Sequence, residues 1–418
     1  MLGANQLPEE YRMLLGFVQR LLPSRIMSRL SGLTAATRRR HPKRMKERMT
    51  PTNGTRERLT VAIVGAGGVA ETHAAVLKSM PQVRLTAICD SAPGKAEAFQ
   101  QKFGLIGSYA SLRTMLADLK PDVVHIATPP FAHAANAVEC LGAGVNIFVE
   151  KPFALSSAEA DQVARAAARS RGAVGVNHNA TFNPALLRMF DAIREERLGG
   201  IEHAMVCFNM PLPVTTGPYT HWLFRGTENL IFELAPHPIS VILRLFGRVL
   251  SSHTLVTGEK ILPSGVRFYP TWQVSLECER GTSQLYISGA GDFEDLWVRI
   301  EAEDGAAQAD LRRNTFRIVE KSHLMRPNDD LRDCLSGAAG LVRDGLHNYR
   351  NYVLSALGKP APYPMQYAGM SNSIRAYYAA LLTGTTPPAG LAQGIAVTHA
   401  CEAVVAPVLE SALATPVG

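Results

Sequence analysis

Cysteine is scarce and scattered in this sequence. Six of the 418 residues are Cys (Cys89, Cys140, Cys207, Cys278, Cys334, Cys401), and none forms a C-x-x-C pair. That spacing excludes a zinc ribbon, an iron–sulfur site and a disulfide scaffold, and predicts a reducing, cytoplasmic environment. Most of the six sit among apolar neighbours and read as small core residues rather than nucleophiles. Charge is thin too: 19% of residues are charged and 46% hydrophobic, which excludes a chain disordered throughout. No uncharged apolar run reaches the ~18 residues of a membrane span, so a soluble body is expected. No H-E-x-x-H or other clustered ligand set occurs, so no metal site is expected.

The charge that is present lies mostly at the front. Residues 1–58 hold 13 basic and four acidic side chains, so the formal charge of +7 hides a remainder of −2. The body therefore calls for no nucleic-acid partner. Over residues 9–33 Leu15, Val18, Leu22, Ile26, Leu30 and Leu33 recur three or four apart, with Arg12, Arg20, Arg25 and Arg29 mostly on other faces. This is the pattern of a basic amphipathic helix, interrupted at Pro23, able to lie on an anionic membrane surface. Arg38-Arg39-Arg40-His41-Pro42-Lys43-Arg44 follows, and nothing resembles a secretory signal. The head, 1–58, reads equally as a solvated tail, or as residues before a true start at Met45 or Met49.

Residues 59–178 alternate strand and helix. Leu59–Val64 is a short apolar run of buried-strand type that enters Gly65-Ala66-Gly67-Gly68-Val69-Ala70 and then a helical pattern. Gly65 permits the tight turn, Gly67 lets the backbone approach a pyrophosphate, and Ala70 lets the helix pack on the strand. The helix N-terminus offers its unpaired N–H groups to the phosphates. A second strand, Val83–Cys89, ends at Asp90, whose carboxylate can accept from an adenosine ribose diol and repel a 2′-phosphate. NAD is thus expected rather than NADP, although Ser91 and Lys95 beside it are compatible with a phosphate. Further helices (Ser111–Asp118, Ala132–Ala143, Ser157–Ser170) and strands (Val123–Ala127, Val145–Val149, Ala173–Val176) predict a Rossmann-type, doubly wound parallel sheet.

Ligands of such sheets gather outside the carboxyl ends of strands, which singles out Thr128-Pro129-Pro130, Glu150-Lys151-Pro152 and Asn177-His178-Asn179. Lys151 at that rim is placed to bind a substrate hydroxyl and help shift its proton. The alternative is that Glu150 and Lys151 form a solvated surface pair.

Leu59–Ala70, Asp90, Ala127-Thr128-Pro129-Pro130 with His133, Glu150-Lys151-Pro152 and Val174-Gly175 together resemble the Gfo/Idh/MocA oxidoreductase family. The resemblance covers about residues 59–415 and is strongest in the first half. It implies nicotinamide-cofactor contacts from Gly65–Ala70, Asp90, Thr128, Pro129, His133, Glu150 and Lys151, a catalytic or substrate-orienting Lys151, and a cis Lys151–Pro152 peptide. It also implies a second domain built on a large open sheet and used for dimer or tetramer contacts.

Residues 179–418 read as that second, α+β domain. Strand-like segments at Ile201–Phe208, Val266–Cys278, Ser283–Ser288, Leu296–Glu303 and Ala307–Leu311, with turns at Arg280-Gly281 and Asp304-Gly305, predict a mostly antiparallel sheet. Helices are expected at Ala185–Glu195, Leu341–Leu357, Ser371–Leu382 and Ala389–Ala412. Glu233 and His237 are four apart and share a face if helical, so the carboxylate can orient the imidazole. In the resembled family an aspartate and a histidine at this spacing work with the lysine, which implies His237 as general acid/base. A histidine among apolar residues reads otherwise as a core residue. Glu233 replaces the usual aspartate, Ser240 stands where another aspartate is common, and Thr227-Glu228-Asn229 replaces a glycine cluster. His178, Asn179, His221, Trp222 and Arg225 are candidate substrate contacts, with Trp222 also readable as core filler and His221 as a surface residue.

The expected function is hydride transfer between the cofactor and a secondary hydroxyl of a sugar, cyclitol or sugar nucleotide. A tightly bound cofactor used for transient oxidation (an epimerase or glycosidase-like enzyme) and a non-catalytic sugar- or NAD-sensing protein are the alternatives.

Overall fold

The computed structural model describes residues 58–212, 219–356 and 368–414; the basic head with the helix expected over 9–33 lies outside them. The first half alternates through β1 (Leu59–Val64), α1 (Gly68–Lys78), β2 (Val83–Cys89), α2 (Lys95–Phe103), β3 (Gly107–Tyr109) and α3 (Leu112–Leu119). It continues with β4 (Val123–Ile126), α4 (His133–Gly142), β5 (Asn146–Val149), α5 (Ser157–Ala168) and β6 (Val174–Val176). The six strands are parallel in the order β3-β2-β1-β4-β5-β6. Val61, Ala62 and Ile63 are fully buried because helices cover both faces, which explains the unbroken apolar run. The order reverses between β1 and β4, so their carboxyl ends open the crevice at which such sheets take ligands. The pattern had not marked α2, which buries only Ala96 and Phe99 and is framed by the left-handed glycines Gly94 and Gly104.

The second half contains α6 (Pro184–Arg194), β7 (Ile201–Asn209), α7 (Asn229–Leu234), α8 (Pro236–Phe246), β8 (Val249–Thr257), β9 (Lys260–Ile261), β10 (Arg267–Phe268) and β11 (Thr271–Cys278). After these come β12 (Gly281–Ser288), β13 (Asp295–Ala302), β14 (Gly305–Asp310), β15 (Thr315–Glu320), α9 (Arg326–Ala356), α10 (Ala368–Thr383) and α11 (Leu391–Ala414). Seven strands form one sheet, β15-β14-β13-β7-β12-β11-β8, antiparallel except for the β7–β12 pair. Alternating burial along β11 shows one face packed on the core. The expected single strand over Val266–Cys278 is two, because Pro270 has no N–H to give to the ladder. The two hairpins form, but Cys278 pairs with Gly281 and Ala302 with Gly305, so each glycine opens the next strand rather than sitting in the loop. The helix expected at Leu341–Leu357 already begins at Arg326.

The last helices return to the parallel sheet. Met370, Ile374, Tyr377 and Tyr378 of α10 share a core cluster with Val61, Ile63 and Phe148. The Val176 N–H donates to the Ala389 carbonyl just before α11 at 2.8 Å. Residues 391–411 of α11, with a mean hydropathy of 1.3, are long and apolar enough to cross a membrane. Here that helix packs against α5, α8 and β8 and buries Val397, Cys401, Val404 and Val405.

Candidate active site

The turn after β1 is built around Gly65. Its φ is +95°, and a Cβ there would stand 2.4 Å from the Ala127 carbonyl oxygen at the end of β4, so only glycine fits. Around Gly67 and Gly68 no atom lies within 4 Å of an added Cβ, leaving open space over the start of α1. No side chain caps that helix, so its first N–H groups remain available to an anion. Ala70 is fully buried under the strand, as a third small residue should be, whereas the Val69 side chain is exposed. Asp90 accepts hydrogen bonds from the Ala66 N–H and the Ala92 N–H, both at 2.8 Å. The carboxylate thereby fixes the glycine turn while remaining partly exposed at the end of β2.

The loop after β4 and the segment after β5 are pinned together by His133. Its two ring nitrogens lie 2.8 Å from the Thr128 carbonyl and 2.7 Å from the Pro152 carbonyl, and the ring is 1% exposed. His133 therefore positions two loops rather than meeting a ligand itself. Thr128 accepts from the Asn136 side chain at 3.2 Å, and Pro129 precedes a short 3-10 turn. The Lys151–Pro152 peptide is cis, as the resemblance implied.

Glu150 is not part of a solvated pair. It is 5% exposed and accepts from His73 Nε2 and Asn177 Nδ2, each at 2.6 Å. Behind it the chain of contacts continues from His73 Nδ1 to His125 Nδ1 at 2.7 Å, and from His125 Nε2 to the Tyr378 hydroxyl at 2.9 Å. Burial alone would raise the Glu150 carboxyl, but the His73 and Asn177 hydrogen bonds and the charges of His73 and Lys151 hold it at about 2. Burial, with His73 beside it, holds His125 well below the usual histidine range. These contacts form one unbroken buried run from the Tyr378 hydroxyl through both imidazoles to the Glu150 carboxylate.

Lys151 turns the other way, toward the second half. Its Nζ donates to Glu233 Oε1 at 2.6 Å and to the Glu233 carbonyl at 3.1 Å, in a pair that is mostly but not wholly buried. This corrects the expected Glu233–His237 partnership. The helical stretch breaks between α7 and α8 at Ala235-Pro236, and Glu233 holds Lys151 instead. His237 stacks on Phe208, ring centroids 5.4 Å apart. Burial, then the nearby Lys151 charge, pushes its imidazole down to about 3. Ser240 is buried and donates back to the His237 carbonyl at 2.7 Å, holding the first turn of α8.

His237 opens on a cleft of about 860 Å³ whose far wall comes from Glu294, Arg312, Arg313, Asn348, Tyr349 and Tyr352. Asn179 is among the residues lining the cleft. His178 is not: it is fully buried, and burial lowers its imidazole to about 4. His221, Trp222 and Arg225 lie outside the cleft lining. His221 is exposed and caps a 3-10 turn, Trp222 packs against the core of the antiparallel sheet, and Arg225 is exposed.

Residues 59–178 match the model of an oxidoreductase family with an NAD-binding Rossmann fold, Gfo/Idh/MocA. Residues 59–178 are the NAD-binding Rossmann domain of the Gfo/Idh/MocA oxidoreductase family. An oxidoreductase of Formosa agariphila is 25% identical over 270 residues, 57% of this chain and 84% of that one. The D-apiose dehydrogenase of Paraburkholderia graminis is 28% identical over 202 residues, 48% of this chain and 53% of its own length. The chain thus spans about half of the latter relative. The WlbA dehydrogenase of Bordetella pertussis, solved with NADH and UDP-GlcNAcA, superposes with a TM-score of 0.67 over 85% of this chain and 96% of that one. At 18% identity that likeness is one of fold.

The Gfo/Idh/MocA cofactor fits the residues on this chain. The open space at Gly67 and Gly68, the uncapped α1 and the half-exposed Asp90 supply room, donors and a diol acceptor in one line. What the sequence missed is the far wall of the cleft. Arg312 and Arg313 follow β14 and Tyr349 sits in α9, and no motif joins them to Lys151 across 160 or more residues.

Proposed function

We propose that this protein oxidises a secondary hydroxyl of a sugar, cyclitol or sugar nucleotide with NAD. The observation that carries the reading is that Lys151, tied to Glu233 at 2.6 Å, lies near enough for its charge to act on the neutral His237, which lines the cleft. NAD, bound along Gly65–Ala70 and Asp90, supplies the hydride acceptor. Lys151 polarises the substrate oxygen, Glu233 holds the ammonium toward it, and the free imidazole of His237 takes the hydroxyl proton. Asn179, Arg312, Asn348 and Tyr349 are the polar and aromatic side chains placed to bind the remainder of the substrate. The names of the apiose dehydrogenase and of the UDP-GlcNAcA complex support a carbohydrate substrate. Residues 59–178 act as the cofactor domain and 179–418 as the substrate domain. Six free cysteines, four of them buried, support a cytoplasmic location.

NADH formation by the full chain across free sugars, cyclitols and sugar nucleotides tests the assignment. Lys151→Ala and His237→Ala should each lower turnover by at least about 100-fold and leave NAD affinity unchanged. Full turnover in both variants would overturn it. Turnover of substrate without release of NADH would instead favour transient oxidation on a retained cofactor.

A further inference from the structure

The long helix α9 turns its acids inward and its aliphatic side chains to water. Asp344 and Asn348 are buried: Arg188 donates two hydrogen bonds to Asp344, and the Asn348 side chain donates to the Arg313 carbonyl at 2.7 Å. Asp329, Asp330 and Asp333 line a hollow at the sheet edge with Glu303, Asp304 and Lys321. The face turned away from these groups is apolar. Leu331, Leu335, Leu341, Val342 and Leu346 are 60%, 62%, 51%, 49% and 41% exposed. With Ala338, Tyr349 and Tyr352 they make one face that holds no charged residue from Leu331 to Tyr352, about 30 Å of helix. Leu324 and Met325, just before the first turn, add two more exposed apolar side chains. A face of this length turned to water is the mark of an interaction surface.

We propose that α9 seats this protein on an anionic bilayer, lying flat in the headgroup layer with the apolar face down. Charge is sorted as that setting requires. All four aspartates of the helix are held on its sheet side, so none faces the lipid phosphates. Arg343 and Arg350 each lie one turn from Leu346 on the same flank of the apolar face, and both are exposed, within reach of a headgroup phosphate. Beyond that flank the face offers aliphatic carbon, the Cys334 thiol and two tyrosine hydroxyls, which suits fluid acyl chains better than a protein surface with fixed polar partners. Tyrosine is at home at that depth, where its ring meets acyl chains and its hydroxyl meets headgroups. Residues 1–58 carry 13 basic and four acidic side chains, so the same chain brings a second attraction to anionic lipid. Tyr349 and Tyr352 also line the cleft, so the docked face borders the outer wall of the site. The docking stands independently of the proposed activity.

Co-flotation of the full chain with vesicles tests the docking. The protein should bind vesicles of equal parts phosphatidylglycerol and phosphatidylcholine, and binding should weaken as salt is raised. Leu335→Glu with Val342→Glu should weaken binding at least about tenfold even though residues 1–58 are intact. Both side chains face solvent, so circular dichroism and NAD affinity of that variant should match the native chain. Arg343→Gln with Arg350→Gln should weaken binding to the same vesicles and flatten its salt dependence. In Leu335→Trp the new indole should be quenched by brominated lipid, beyond the quenching of the native chain, because it enters the acyl boundary. No binding by the native chain, binding unchanged by Leu335→Glu/Val342→Glu, or no added quenching in Leu335→Trp would each overturn the proposal. So would sedimentation velocity in which the two Glu substitutions turn a lipid-free dimer into a monomer, since a second copy would then cover the face.

Discussion

Lys151 meets its partner through two different atoms of Glu233, a carboxylate oxygen and a carbonyl. The backbone contact survives any substitution of the side chain, so Glu233→Gln should keep the ammonium in place and remove only the opposing charge. Turnover should fall about tenfold with unchanged NAD affinity, and less than with Lys151→Ala; stopped-flow NADH formation checks this. His237 sits at about 3 because burial disfavours the charged imidazolium, and the nearby Lys151 charge adds to that cost. It is therefore neutral throughout the ordinary pH range and ready to accept a proton. The pH profile of kcat/KM should show no acid limb near the ~6.5 of an unperturbed histidine. A limb there that disappears in His237→Asn would contradict the placement. At Gly65 the prediction is steric: Gly65→Ala should lower the melting temperature and weaken NAD binding together, with a strain cost of about 1–3 kcal/mol. Its Cβ would collide with the Ala127 carbonyl at 2.4 Å.

At the scale of elements, the run from Glu150 through His73 and His125 to Tyr378 links β5, α1, β4 and α10. Each member is buried, so each unmet hydrogen bond is costly. Tyr378→Phe should cost about 1–3 kcal/mol by denaturant unfolding, because it leaves His125 Nε2 without its hydrogen-bond partner. The ring itself is retained, so the loss reports the hydroxyl alone. Sequence patterns reach this network only in part. His73 lies in the helix after the glycine turn and Glu150 in the Glu-Lys-Pro element, but Tyr378 comes from a helix more than 200 residues later. The helix break between Glu233 and His237 was hidden for a related reason. An i, i+4 spacing presumes one helix, and Pro236 starts a new one instead.

The whole molecule should be acid-sensitive in a defined window. His178 and His237 are held at about 4 and about 3 in the folded chain, against about 6.5 unfolded. Between those values the unfolded chain binds protons that the folded chain refuses, so stability is full above pH ~6.5 and falls as pH drops toward 4. Glu150, held at about 2, acts in the same direction below its unfolded value of about 4.3. The melting temperature should therefore drop steadily from pH 7 to 4, and His178→Leu should flatten that slope. A melting temperature that is level across the window would contradict the buried, neutral histidines.

The sequence by itself determined the parallel sheet, the glycine turn, Asp90 and the Glu-Lys-Pro element, because each depends on chain neighbours or on a period the eye can count. Tertiary structure alone decided that Glu233 serves Lys151, that Glu150 is buried, that His178 is walled off from the cleft, and that the far wall is Arg312, Asn348 and Tyr349. Those are meetings between the two sheets and the helices that return to them. Local pattern carries no information about such meetings, since burial and charge pairing depend on which distant residues arrive at the same place.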